Sequence, residues 1–171
     1  MMKPTKFTTT RGEKSIRQQV ESLKRQKLAE NKVVNLSDFR QMKKSQESRT
    51  ILIVDDDEVM RNAMKRILDD EGFQVLMAED GMELSKILET TRLELVLLDV
   101  NLPWVDGLEL CRIIKGHTAL KGVPLLLVSA RKTKEDIEAG FQAGCDDYLT
   151  KPFDVDHMIS AIRKQLPPLE A

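Results

Sequence analysis

Asp55-Asp56-Asp57, Asp99, Ser129 and Lys151 are the residues of this 171-residue chain whose types and spacing suggest chemistry. Each stands at the end of a short apolar run, at 51–54, 95–98, 123–128 and 148–150. Three carboxylates gathered in one crevice repel one another, by about 4 kcal/mol for a pair roughly 4 Å apart at an effective dielectric of about 20. Something positive must offset this. Lys151 offers one charge, and a hard divalent cation with oxygen ligands, Mg²⁺ above all, offers the rest. A metal beside a lone carboxylate, a hydroxyl and a lysine suits phosphoryl transfer to the carboxylate, with metal and ammonium holding the equatorial oxygens. Asp99 is the best nucleophile candidate, because it ends the middle strand of the pattern. Asp55 and Asp56 can then hold the metal from one side while Lys151 approaches from the other.

The elements that position these residues alternate from residue 51 onward. The run 51–54 leads into an acidic turn, and 58–71 places Met60, Ala63, Met64, Ile67 and Leu68 at helical spacing before Gly72. Residues 73–77 read as the second strand. Asp80-Gly81-Met82-Glu83 has the arrangement of a capping box and opens a helix through Leu84, Ile87 and Leu88. After the third strand and a 103–107 turn, Leu108, Leu110, Cys111, Ile113 and Ile114 predict one apolar helix face. The fourth helix, 134–143, is notably polar and carries an internal glycine, Gly140; Val155, Ile159, Ile162 and Leu166 mark the fifth. Five strands alternating with five helices predict a doubly wound α/β fold, a parallel sheet covered on both faces. In such a sheet the strand ends point to one edge, and sites form there.

Taken singly, each residue has a bland reading. Asp57 reads as a helix N-cap and Asp106 as a cap or turn residue. Ser129 alone is as well explained as a cap for the polar helix, and Lys151 alone as a solvated lysine. Trp104, in the turn after Asp99, reads as packing over the rim of the site rather than as a partner contact. Cys111 and Cys145 lie far apart with no CxxC or nearby histidine, so they read as small buried hydrophobes rather than a disulfide, redox pair or zinc site.

Together, Ile51-Leu-Ile-Val-Asp-Asp-Asp57, Leu97-Leu-Asp-Val-Asn-Leu-Pro-Trp-Val-Asp-Gly107, Leu127-Val-Ser-Ala130 and Ala143-Gly-Cys-Asp-Asp-Tyr-Leu-Thr-Lys-Pro-Phe153 resemble a two-component response-regulator receiver domain. The resemblance covers 51–166. It implies a (βα)5 flavodoxin-like sheet with strand order 2-1-3-4-5, Asp99 as phosphoacceptor, and Mg²⁺ held by Asp55, Asp56, Asp99 and the Asn101 main-chain carbonyl. It further implies that Ser129 and Lys151 contact the phosphoryl group, that the Lys151-Pro152 bond is cis, and that Ser129 and Tyr148 switch the surface of the fourth helix, fifth strand and fifth helix. Serine stands at 129 where threonine is common in the family, and Arg131 places a long cation near the entrance. The implied role is a non-enzymatic phosphoprotein of a two-component or phosphorelay system. A phosphorelay intermediate feeding a histidine phosphotransfer protein and a non-signalling scaffold are its alternatives. A haloacid-dehalogenase-type phosphohydrolase would need a second acid where Asn101 stands, and a flavodoxin-like module would need a phosphate loop where three aspartates stand.

Residues 1–49 form a second region, before a receiver segment at 50–171. The first 50 residues carry 13 Lys/Arg and 5 Asp/Glu, a net +8; the remaining 121 carry 14 and 23, a net −9. The basic extension reads as disordered with one helix over 11–30, whose Ile16, Val20 and Leu23 share a face, and with apolar anchors at 33–39. No apolar run reaches the roughly 18 residues of a membrane span and the start lacks a signal peptide's apolar core, so the expected location is the cytoplasm. The chain ends shortly after the fifth helix, so the expectation is no C-terminal DNA-binding domain. Its partners are then a sensor histidine kinase or histidine phosphotransfer protein and a downstream protein target.

Overall fold

A computed structural model of the chain describes residues 49–166. All but Arg49 of the basic extension, with its expected helix and apolar anchors, lies outside the described residues, as does 167–171. Five strands, β1 (Thr50–Val54), β2 (Gln74–Ala78), β3 (Leu95–Asp99), β4 (Leu125–Ser129) and β5 (Asp147–Thr150), alternate with α1 (Glu58–Asp70), α2 (Gly81–Thr90), α3 (Gly107–Gly116), α4 (Lys134–Gln142) and α5 (Val155–Gln165). All strand pairs are parallel, in the order β2-β1-β3-β4-β5. The alternation is the one the sequence pattern predicts, and the strand order is the one the family resemblance implies.

Strand residues alternate between two cores. Ile51, Ile53, Leu95, Leu97, Leu126 and Val128 meet Met64 and Leu68 of α1 and Met158, Ile159 and Ile162 of α5 on one face. Leu52, Val54, Val96, Leu98 and Leu127 meet Leu84 of α2 and Leu110, Cys111 and Ile114 of α3 on the other. Each fully buried side chain of this size stabilises the fold by about 1.5–3 kcal/mol, so one-residue slippage of any central strand, which would exchange its faces, is strongly disfavoured. Both cysteines are buried and free, and burial pushes their thiols up, to about 11 for Cys111 and about 12 for Cys145. No helix among the described residues is long and apolar enough to cross a membrane.

Local chemistry sets the element ends. Asp57, Asp80, Asp106, Thr133 and Asp154 are the N-caps of α1 to α5, each accepting from backbone N–H groups of the first turn. The expected capping box at Asp80 is incomplete: Glu83 reaches past the cap to the Glu79 N–H, at 3.0 Å. A reciprocal box forms instead at Thr133 and Asp136. The fourth strand starts later than residue 123, because Pro124 has no N–H for the ladder and the Val123 N–H turns back to the Leu120 carbonyl. Ile113 departs from its expected place on the buried face of α3; it is 56% exposed, since positions 110, 111 and 114 already fill the stripe facing the sheet. In α4 only Gly140 is fully buried, in keeping with the polar pattern.

Candidate functional site

Register brings the strand ends together. Val54 pairs with Leu98, so Asp55 and Asp99 emerge side by side; Asp99 pairs with Val128 and Ser129 with Thr150, so Ser129 and Lys151 follow at the same edge. Lys151 is fixed by its own backbone, whose N–H donates to the Ser129 carbonyl at 2.7 Å, and its bond to Pro152 is cis. Its Nζ lies 3.0 Å from Asp55 Oδ2 and 3.0 Å from Asp99 Oδ2. The other oxygen of each carboxylate is held by main chain: Asp55 Oδ1 accepts from the Asp57 N–H at 2.8 Å, and Asp99 Oδ1 from the Asn101 N–H at 2.9 Å.

Asp55 and Asp99 are buried and Asp56 is exposed, yet one carboxylate oxygen from each falls within 4.8 Å of the others. Burial pushes the Asp55 carboxyl above its ordinary value, against the pull of the Asp57 N–H and Lys151. Burial alone would lower the Lys151 ammonium; the hydrogen bonds and charges of Asp55 and Asp99 outweigh it and hold the ammonium above its ordinary value. Three carboxylates against one ammonium leave two negative charges unbalanced. An all-oxygen donor set of that charge fits a hard divalent cation.

Ser129 is fully buried at the end of β4 and caps no helix, that position belonging to Thr133. Its Oγ accepts from the Arg131 N–H at 3.1 Å, while the Arg131 carbonyl accepts from the Tyr148 hydroxyl at 2.9 Å. Arg131 therefore stands between the two expected switch residues. Its Nε also donates to Asn101 Oδ1 at 2.9 Å, which closes one side of an open cleft running from Asp56 past Asn101 to Trp104. The Tyr148 ring lies half-buried over Gly140, where an added Cβ would come within 2.8 Å of it. Gly107 is required for a similar reason: a Cβ there would sit 2.4 Å from the Val100 Cα, where the loop after β3 folds back on itself.

Trp104 packs over the rim, as its sequence context predicts. Its ring covers Gly81 and its indole N–H donates to the Glu79 carbonyl at 2.9 Å. Two residues of the rim went unnoticed in the sequence, Arg61 and Glu79. Arg61 is 7% exposed and donates to the Asp55 carbonyl at 2.7 Å and to Glu79 Oε2 at 2.9 Å. The signal was present: 61, 64 and 68 form the buried stripe of α1, and an arginine in such a stripe needs buried acceptors.

A parallel five-stranded sheet with three carboxylates and a lysine converging at the ends of β1, β3 and β5 is the architecture of a receiver domain. The chain belongs to the response regulator receiver domain family, whose profile matches residues 51–163. It is 38% identical over 116 residues to the response regulator MprA of Mycobacterium tuberculosis, covering 68% of this chain and 50% of that one. To the transcriptional regulatory protein CseB of Streptomyces coelicolor it is 40% identical, over 68% of this chain and 48% of that one. The chain thus spans about half the length of the curated relatives it matches. Among solved structures, chemotaxis protein CheY4 of Vibrio cholerae aligns with a TM-score of 0.65 at 27% identity, over 70% of this chain and 99% of that one. A putative response regulator from Chloroflexus aurantiacus aligns with a TM-score of 0.65 at 31% identity, over 69% and 97%.

Proposed function

We propose that this chain is a response regulator of a two-component or phosphorelay system that accepts a phosphoryl group on Asp99, with Mg²⁺ required. The supporting observation is the position of Asp99: at the end of the central strand, 3.0 Å from the Lys151 ammonium and within 4.8 Å of Asp55 and Asp56. An Asp99 carboxylate oxygen attacks phosphorus in line; the P–N bond of a phosphohistidine, or the P–O bond of an acyl phosphate, breaks as the new P–O bond forms. Lys151 offsets the negative charge of the phosphoryl oxygens. Asp55, Asp56, Asp99 and the Asn101 carbonyl would hold Mg²⁺, which supplies the further charge compensation that two unbalanced carboxylates and an incoming dianion demand.

Ser129 and Tyr148 then couple the site to the α4-β5-α5 surface. The Arg131 peptide, hydrogen-bonded to both, supports that reading: a shift of the Ser129 hydroxyl toward a phosphoryl oxygen releases the Arg131 N–H, and the loop carrying the Tyr148 acceptor moves with it. The partners in this reading are a sensor histidine kinase or histidine phosphotransfer protein upstream and a protein target downstream. Incubating the protein with acetyl phosphate and Mg²⁺ tests it. One acid-stable, base-labile adduct is expected on the wild type, none on Asp99→Asn and none in chelator; equal adduct on the variant would overturn the assignment.

A further inference from the structure

Three loops surround the cation site, and a single chain of contacts ties them together. Arg61, on the second turn of α1, sends one guanidinium nitrogen to the carbonyl of Asp55 and the other to the carboxylate of Glu79. Glu79, in the loop between β2 and α2, offers its carbonyl to the indole of Trp104, in the loop after β3, and its N–H to Glu83. The belt thus runs from the peptide that precedes Asp56 to the loop that holds Asn101.

We propose that Arg61 is the positioning residue of the cation site, acting through this belt on Asp56 and Asn101. The proposal rests on the reading of Asp55, Asp56, Asp99 and Asn101 as the Mg²⁺ ligands. Asp56 is exposed, so no packing orients its carboxylate; what aims it is the plane of the Asp55-Asp56 peptide. The guanidinium fixes that plane by holding its carbonyl. A buried guanidinium is costly to desolvate, and its rigid planar fork holds two acceptors at a fixed separation and in one plane, which a lysine's rotating ammonium does not. Losing the Arg61 contact leaves the Asp55 carbonyl without the guanidinium donor that holds it at 2.7 Å. Groups that hold a metal's ligands, rather than the metal, characteristically affect its affinity by an order of magnitude or more.

The test is Mg²⁺ binding to the full chain by calorimetry, with the fluorescence of Trp104, the sole tryptophan, as a second readout. Wild type, Arg61→Lys, Glu79→Ala and the double variant are compared. Arg61→Lys is expected to weaken Mg²⁺ binding about 10-fold. At saturating Mg²⁺ its rate of phosphorylation by acetyl phosphate should stay near that of the wild type, a split that general damage to the fold would not give. Glu79→Ala, at the exposed middle of the belt, should weaken binding in the same direction, and the double variant should bind no more weakly than Arg61→Lys, because both changes cut the Arg61–Glu79 link. Additive effects, or folded single variants that bind as tightly as the wild type, would overturn the proposal. Should Arg61→Lys fail to fold, unchanged binding in Glu79→Ala would overturn it. A wild type that binds no Mg²⁺ would overturn the ligand assignment itself, and the positioning role with it.

Discussion

Lys151 is in contact with two carboxylates that each commit their second oxygen to a backbone N–H. Removing it leaves Asp55 and Asp99 buried and mutually repelling. Lys151→Met should therefore destabilise the metal-free protein by about 3 kcal/mol, the lower range for breaking a buried pair. The pH dependence follows from the raised ammonium: its contribution is fully present below the unfolded value of 10.5 and is lost as pH climbs through the higher folded value. Denaturant unfolding should show a constant difference between wild type and variant from neutral pH to about 10, narrowing above that; a difference that persists at the same size well above 10.5 contradicts the assignment. The convergence of Asp55, Asp56, Asp99 and Lys151 was legible in the sequence because each follows an apolar run. Arg61 was not read there, because an isolated arginine in a helix is ordinarily solvated and only the 61-64-68 stripe marks it as buried. Ser129 was ambiguous between cap and site, and three-dimensional structure was needed to give the cap to Thr133.

At the scale of elements, α4 differs from its neighbours in what it buries. Gly140 lies against the Tyr148 ring, with a Cβ there falling 2.8 and 2.9 Å from ring carbons and 3.0 Å from Leu127. Gly140→Ala sets a gain of about 1 kcal/mol in helix propensity against an overpacking cost of about 1–3 kcal/mol. The cost should win by about 1 kcal/mol, because ring and strand both crowd the new methyl, and the displaced ring should release the Arg131 carbonyl. Thermal unfolding measures the first effect. Amide NMR of Lys132, whose N–H shares a peptide with that carbonyl, measures the second, with Tyr148→Phe expected to shift it in the same direction; an unmoved Lys132 signal would show that the ring can yield without losing its bond. The five strands and five helices were legible from period alone. Boundaries shifted where a single backbone group decided them, as Pro124 does for β4, and Ile113 left the core because periodicity names a stripe wider than the contact it fills.

The described residues build both cores and the whole site from positions 49–166, so the proposed phosphoacceptor chemistry should not need the basic extension. A chain starting at Ser48 should accept phosphate from acetyl phosphate at the wild-type rate; a several-fold slower rate would show that residues 1–47 take part. The +8 and −9 division between the two segments was plain in the sequence, but composition carries no information about a partner, so the use of the extension stays with the experiment. One detail of the fold bears on that use. β1 is an interior strand, flanked by β2 and β3, and its entry is fastened on both sides: the Arg49 carbonyl accepts from Gln74, the Thr50 carbonyl from Glu94, and the Thr50 N–H donates to the Glu94 carboxylate at 2.6 Å. Tension drawn along the extension therefore arrives as shear on two ladders at once, whose bonds must fail together rather than unzip singly. Asp55 and Asp56 follow the far end of the same strand, so the load is shed before it reaches them. Mechanically, the domain is a bead gripped through its central sheet at the point where the chain enters it.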